Sequence, residues 1–210
     1  QEDITEYISR NCIIPYLFEE TKRKYSDAFD SEGFIWTWLR NSGDKFIFDA
    51  VKKGVELKLP PEIELGIDTK IPDLLERRKD WNKPASDEYA LPTETWREVI
   101  ERRKYYYNVK RRIENGQIKS INDFITYNLN IRLFLQDIIE NIDDDSFIRV
   151  FYKVLSSVTI LDPTCGSGAF LFAAMNVLEP LYEAIIMRME NYVEEGKTIG
   201  KRYKFFEDEL

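Results

Sequence analysis

Histidine is absent from this 210-residue chain, and that removes much chemistry at once. No Ser-His or Cys-His nucleophile pair can form, no imidazole-ligated metal site, and no imidazole general base near neutral pH. Cysteine is nearly absent too: Cys12 and Cys165 stand far apart and make no disulfide framework, which implies a reducing, cytoplasmic setting. Long apolar runs are missing. The longest, around Ala169–Leu178, contains Asn176 and ends at Glu179, well short of the roughly 20 residues that span a bilayer. No membrane association is expected, and no signal peptide is visible in residues 1–20. The chain opens on Gln rather than Met, and a fragment is expected. Repeats and low-complexity tracts are lacking as well.

What is present fits a globular chain with a sizeable core, at 43% hydrophobic and 32% charged residues. The apolar spacing predicts a mainly helical region over 1–155. Ile4, Tyr7, Ile8, Ile14, Leu17 and Phe18 recur at helical intervals, with Asp3 or Thr5 as a cap and a break or kink at Pro15. A short helix is expected over 46–53, stopped by Gly54, then extended chain over 57–61 and a connecting loop over 80–93. Thr95-Trp-Arg-Glu98 reads as a capping box opening a long helix that stops at Gly116. Further helices are expected from Ser120, over Asn130–Glu140, and from Asp143-Asp-Asp-Ser146 to about Leu155.

At 156 the character changes. Val158-Thr-Ile-Leu161 is β-branched and apolar, the pattern of a buried strand. Asp162-Pro-Thr-Cys-Gly-Ser-Gly168 is a tight turn, and Ala169–Met175 is strongly helix-forming, with a kink or split expected at Pro180. Strand, glycine turn and helix together open a nucleotide-type α/β unit. Gly166 and Gly168 can take positive φ and let a ligand approach the main chain, while the helix amides beyond favour negative charge. No Gly-Lys-Ser/Thr follows, so this is not a phosphate loop, nor is it Gly-x-Gly-x-x-Gly. Residues 196–210 carry no assignable pattern.

Ile160-Leu-Asp-Pro-Thr-Cys-Gly-Ser-Gly-Ala-Phe-Leu171 resembles the S-adenosylmethionine motif of adenine-N6 DNA methyltransferases, in the class whose cofactor motif precedes the catalytic tetrapeptide. Asp3–Asn11 resembles the cofactor-contacting helix that opens such domains. Phe48–Leu57, Trp81–Ala85 and Ala90–Glu98 resemble long modification methylases of restriction-modification and phage-exclusion systems. The resemblance implies an incomplete Rossmann-like domain beginning at 156. It implies S-adenosylmethionine held by Asp162, Pro163, Thr164, Cys165, Gly166, Gly168 and Phe170, joined by Thr5 and Tyr7 from the opening helix. It also implies double-stranded DNA as the full-length protein's partner, alongside restriction or defence components. In this family the flipped adenine's exocyclic amine attacks the cofactor's methyl group, held by an Asn/Asp-Pro-Pro-Tyr/Phe tetrapeptide. The sequence has no such tetrapeptide; its only Pro-Pro, Pro60-Pro61, follows Leu59. No catalytic residue is therefore assigned, and residues 1–210 are expected not to methylate alone. The rival readings are a methyltransferase acting on RNA or protein, and a non-catalytic helical scaffold of a defence complex.

The net charge of −8 argues against DNA only until it is resolved along the chain. Residues 97–119 hold eight basic side chains against three carboxylates, a net +5, with Tyr105-Tyr-Tyr107 among them. Arg102, Arg103, Lys104, Lys110, Arg111 and Arg112 are candidate phosphate contacts, with a solvated helix face as the alternative. Trp36 and Trp38 read as core rather than base-stacking residues, and as facing opposite sides of a strand or straddling a loop. Asp143–Asp145 read as a helix start rather than a metal site, and Cys165 as a small turn residue rather than a nucleophile.

Overall fold

The computed structural model describes residues 2–210, the side chains of residues 2 and 3 excepted. It is mainly helical, and no strand occurs among the described residues. The chain forms two compact units, one of residues 1–42 with 116–210 and the other of residues 43–115.

The first unit begins with α1 (Glu2–Lys24), followed by a short 3-10 turn (Asp27–Phe29) and α2 (Phe34–Arg40). The capping expectation at Thr5 falls away, since Thr5 lies inside α1; the Asp3 side chain lies outside the described residues. Pro15 does not break α1, a correction to the expected interruption. Ile14, Leu17 and Phe18, directly around and beyond it, are buried, so the face they share is held by packing despite the lost N–H. Trp36 and Trp38 sit on a helix, not a strand. The Trp36 indole donates to Phe29 O at 3.0 Å and the Trp38 indole to Asp137 Oδ2 at 2.7 Å, so both serve packing.

The second unit carries four helices: α3 (Asp49–Lys52), α4 (Pro61–Glu64), α5 (Leu74–Arg77) and α6 (Trp96–Glu114). Local chemistry sets α6. The Glu98 carboxylate accepts from the Thr95 N–H at 2.7 Å and the Thr95 hydroxyl at 2.8 Å, and Gly116, with φ of 62°, follows its end. Leu59, Ile63, Trp81 and Ile100 form a core cluster here, with Trp96 against it. The Trp81 indole donates to Ile63 O at 3.1 Å, and the Arg78 guanidinium lies 4.2 Å from its ring.

After this unit the chain returns to the first through α7 (Ile121–Thr126), α8 (Ile131–Asn141) and α9 (Asp145–Ser156). Their caps are side chains: Ser120 accepts from Asp123 N, Asn130 from Leu133 N, and Asp144 from Ser146 N and Phe147 N. The last helices are α10 (Ala169–Ile199) and α11 (Lys204–Glu209). Helix α10 packs against α1, α8 and α9. Residues 1–42 and 116–210 form one compact unit, with α1, α8, α9 and α10 packed together. Val177, Leu181, Ile185 and Met189 form the fully buried stripe of α10, and it runs unbroken through Pro180, again correcting the expected split. By length and composition α10 could cross a membrane; in this fold its stripe is core.

Val158–Leu161 is neither helix nor strand, a correction to the expected buried strand. A strand is a strand through its ladder, and no partner strand exists among the described residues. No hydrogen bond engages Thr159, Ile160 or Leu161 there, and Leu161 is 87% exposed. The expected strand-turn-helix opening of an α/β unit is thus not shown: an irregular segment leads into the turn and α10.

Tyr25 and Tyr192 are expected to contribute alkali sensitivity to this unit. Tyr25 donates to Asp144 Oδ2 at 2.7 Å, and that bond to a carboxylate pushes its hydroxyl up to about 12; burial does the same to Tyr192. A raised phenol contributes stability that is full below the ordinary value of 10 and is lost as pH climbs toward 12. Urea unfolding followed across that window is expected to show the decline, and Tyr25→Phe to remove part of it. An unchanged slope in the variant would count against the Tyr25–Asp144 bond.

Candidate functional site

The turn between the irregular segment and α10 is built by local bonds. Asp162 Oδ1 accepts from the Thr164 N–H at 2.9 Å and the Thr164 hydroxyl at 3.3 Å, closing an Asx-type turn. Gly168 N–H donates to Cys165 O at 2.7 Å. Gly166 (φ 50°) and Gly168 (φ 77°) both take the left-handed conformation, which side-chain-bearing residues adopt only with strain. Around Gly166 the space is open: an added Cβ would meet only Thr164 O, at 3.6 Å. Its glycine is required by the backbone angle and not by crowding.

The surface so formed is exposed. Thr164, Cys165, Gly166 and Ser167 face solvent, as do Pro163 and Phe170, while Asp162 is half-buried and Gly168 buried. No side chain caps α10, so the amide-rich first turn opens beside the glycines. The main chain presents donors, and Asp162 Oδ2 presents an acceptor with no partner among the described residues. Such an arrangement suits a ligand carrying both a carboxylate and an ammonium or hydroxyl group. Cys165 is exposed and unpaired with any disulfide partner.

The opening helix meets this site unevenly. Thr5 is buried and Tyr7 is 46% exposed, with the Arg10 guanidinium 5.7 Å from the Tyr7 ring. The α1 residues that line a cavity with the lead-in to the turn are Cys12, Ile13 and Tyr16; they enclose about 170 Å³ together with Val158, Thr159 and Ile160. The sequence singled out none of these three for a site. Their only signal is helical spacing, Cys12 and Tyr16 lying one turn apart on one face.

The six basic candidates of α6 divide. Arg102 is not a surface cation. Its side chain is 9% exposed, and its guanidinium donates to Glu94 at 2.9 Å and to the carbonyls of Val51, Lys53 and Tyr89 at 3.2, 2.7 and 2.7 Å. Arg103 donates to Gly54 O at 2.5 Å. Arg112 is half-buried. Lys104 pairs with Glu101 at 3.0 Å, Lys110 lies 5.9 Å from the Tyr106 ring, and exposed Arg111 donates to Asn108 at 3.4 Å. Burial pulls the Glu94 carboxyl upward, but Arg102 and the Leu91 N–H outweigh it and hold it below its usual range. The basic helix therefore uses its two best-placed arginines inside its own unit.

Comparison with known proteins finds no matching family model, no similar curated protein and no similar solved structure.

Proposed function

We propose that this chain is part of an S-adenosylmethionine-dependent DNA methyltransferase acting on adenine N6, in a restriction-modification or defence setting. The observation that carries the reading is the Asp162–Gly168 turn, an exposed, locally bonded loop with two left-handed glycines before an uncapped helix. Asp162 would receive the cofactor's ammonium or hydroxyl groups, and the amides beyond Gly166 and Gly168 its carboxylate. Pro163, Thr164, Cys165 and Phe170 would shape the surface beside it, with Thr5 and Tyr7 contributing from α1. The missing histidine agrees with this chemistry, which needs neither imidazole nor metal.

Calorimetric titration with S-adenosylmethionine tests it. Saturable binding is expected, together with its loss in Gly166→Val, where positive φ strains a β-branched residue. Methyl transfer to DNA by residues 1–210 alone is expected to be undetectable, because no Asn/Asp-Pro-Pro-Tyr/Phe tetrapeptide is among them. Saturable binding that survives Gly166→Val unchanged would remove the turn from the cofactor's site.

A further inference from the structure

The end of α10 is folded back in a way the sequence did not disclose. Gly200, with φ of 71°, terminates the helix, and the Lys201 N–H returns to Gly196 O at 2.9 Å. A side chain at Gly196 would collide with Lys201 O and the Tyr203 ring, so glycine there permits the close return. Tyr203 and Phe206 then pack on Tyr192, with ring centroids at 5.2 and 5.6 Å. This anchoring brings Lys201, Arg202 and Lys204 around the same cavity as Arg149 of α9, a space of about 450 Å³.

Four cations thus surround one open cavity in a chain whose net charge is −8. Phe205 forms its apolar wall, with Arg149 at 5.3 Å and Lys153 at 5.0 Å from the ring, which holds both cations in place. Asp145 and Asp208 also line it. Asp145 is shared between Arg149 and Lys201 at the long distances of 3.6 and 3.7 Å, and Glu207 takes Arg202 at 2.6 Å. Lys204 has no carboxylate, hydrogen-bond or ring partner among the described residues. Four cations against the three carboxylates Asp145, Glu207 and Asp208 leave the cluster at a net +1, in contrast to Arg102, whose charge Glu94 pairs.

We infer that this cavity binds consecutive phosphates of a DNA backbone through Arg149, Lys201, Arg202 and Lys204. The inference rests on the methyltransferase reading for its choice of polyanion. Phosphate contacts of this kind position a duplex without reading its sequence. Each also releases counterions, so its loss is visible in the salt dependence of affinity.

The test uses the 210-residue chain and a labelled duplex of about 20 base pairs, titrated at several salt concentrations, in parallel with calorimetry against S-adenosylmethionine. The triple variant Lys201→Gln/Arg202→Gln/Lys204→Gln is expected to bind at least roughly tenfold more weakly, with a slope of log affinity against log salt shallower by about 2 to 3. Lys204→Gln alone removes a side chain with no partner, so it retains the fold and is expected to lower the slope by about 1. A pair of changes on α6, Lys104→Gln/Arg111→Gln, is expected to change the slope less than the triple variant. DNA binding with an unchanged slope in both cavity variants overturns the inference and leaves the methyltransferase reading standing. The inference also falls if wild-type chain binds the cofactor but no duplex, or if inorganic phosphate saturates the cavity while duplex does not bind. Duplex binding that responds to the variants without any cofactor binding supports the cavity and counts against the methyltransferase.

Discussion

Arg102→Ala is expected to destabilise residues 43–115 by about 3–5 kcal/mol, the range for removing one partner of a buried, hydrogen-bonded charge pair. The size follows from what is left behind. Glu94, 15% exposed at its side chain, keeps a carboxylate whose main cation is gone. The carbonyls of Val51, Lys53 and Tyr89 lose a donor in a site where water enters poorly. Val51 and Lys53 lie at α3 and its end, and Tyr89 in the chain before α6, so one guanidinium ties both segments to α6. Arg102→Lys keeps the charge but not the planar fork, and is expected to recover only part of the loss. Arg102→Met with Glu94→Leu is expected to be milder than Arg102→Ala, because neither charge is then stranded. Urea unfolding measures the difference, and hydrogen exchange by segment should show protection lost first between 43 and 115. The pH profile supplies a second check. Glu94 sits below its usual range, so its contribution is present above that range and lost as pH falls. In Arg102→Ala that part of the acid sensitivity should disappear. A loss under about 1 kcal/mol, the range of exposed pairs, would mean the site is solvated and Arg102 free for other contacts.

The Arg102 result also shows where reading charge along a sequence stops. Residues 97–119 do carry a net +5, yet which cations remain available depends on Glu94, 8 residues back, and on carbonyls 49 and 51 residues away, none of which helical spacing announces as partners. Features decided within one turn were legible. Thr95 with Glu98, Ser120 with Asp123, Asn130 and Asp144 all open helices, because a cap needs only its own neighbours. The glycine turn was legible for the same reason, since Asp162, Thr164 and the positive φ of Gly166 and Gly168 close it without outside help. Features decided by packing were not. Pro15 and Pro180 are local breakers, but buried stripes on both sides carry α1 and α10 through them. Val158–Leu161 shows the converse: a strand pattern without a partner ladder does not make a strand. The turn could be named from the sequence, while the cavity lined by Cys12, Ile13 and Tyr16 could not, because their approach to Val158–Ile160 is a tertiary event.

Phe147→Ala is expected to cost the other unit about 3–5 kcal/mol, the range for truncating a buried aromatic ring. Phe147 is fully buried in the first turn of α9. Its ring lies 6.0 Å from Phe151, 6.3 Å from Phe29 and 6.4 Å from Tyr25. Its backbone N–H is also held by Asp144, the carboxylate that accepts from Tyr25. One side chain thus supports the 3-10 turn, the end of α1 and the start of α9 together. The void should collapse poorly, because Phe29, Phe151 and Ile148 are themselves packed rings and chains on rigid helices. Phe147→Leu keeps most of the volume and is expected to cost less than half as much. The consequence reaches the sites by way of α9 and α10, which pack on each other. Arg149 follows Phe147 by two residues, and α10 starts at the glycine turn. On the proposed reading, loosening this core should therefore weaken S-adenosylmethionine affinity and flatten the salt slope of DNA binding in the same variant, with unfolding by urea as the reference. If Phe147→Ala unfolds within about 1 kcal/mol of the parent chain, α9 is not held by this ring cluster. The fixed arrangement of Arg149 beside Lys201 would then need a different support.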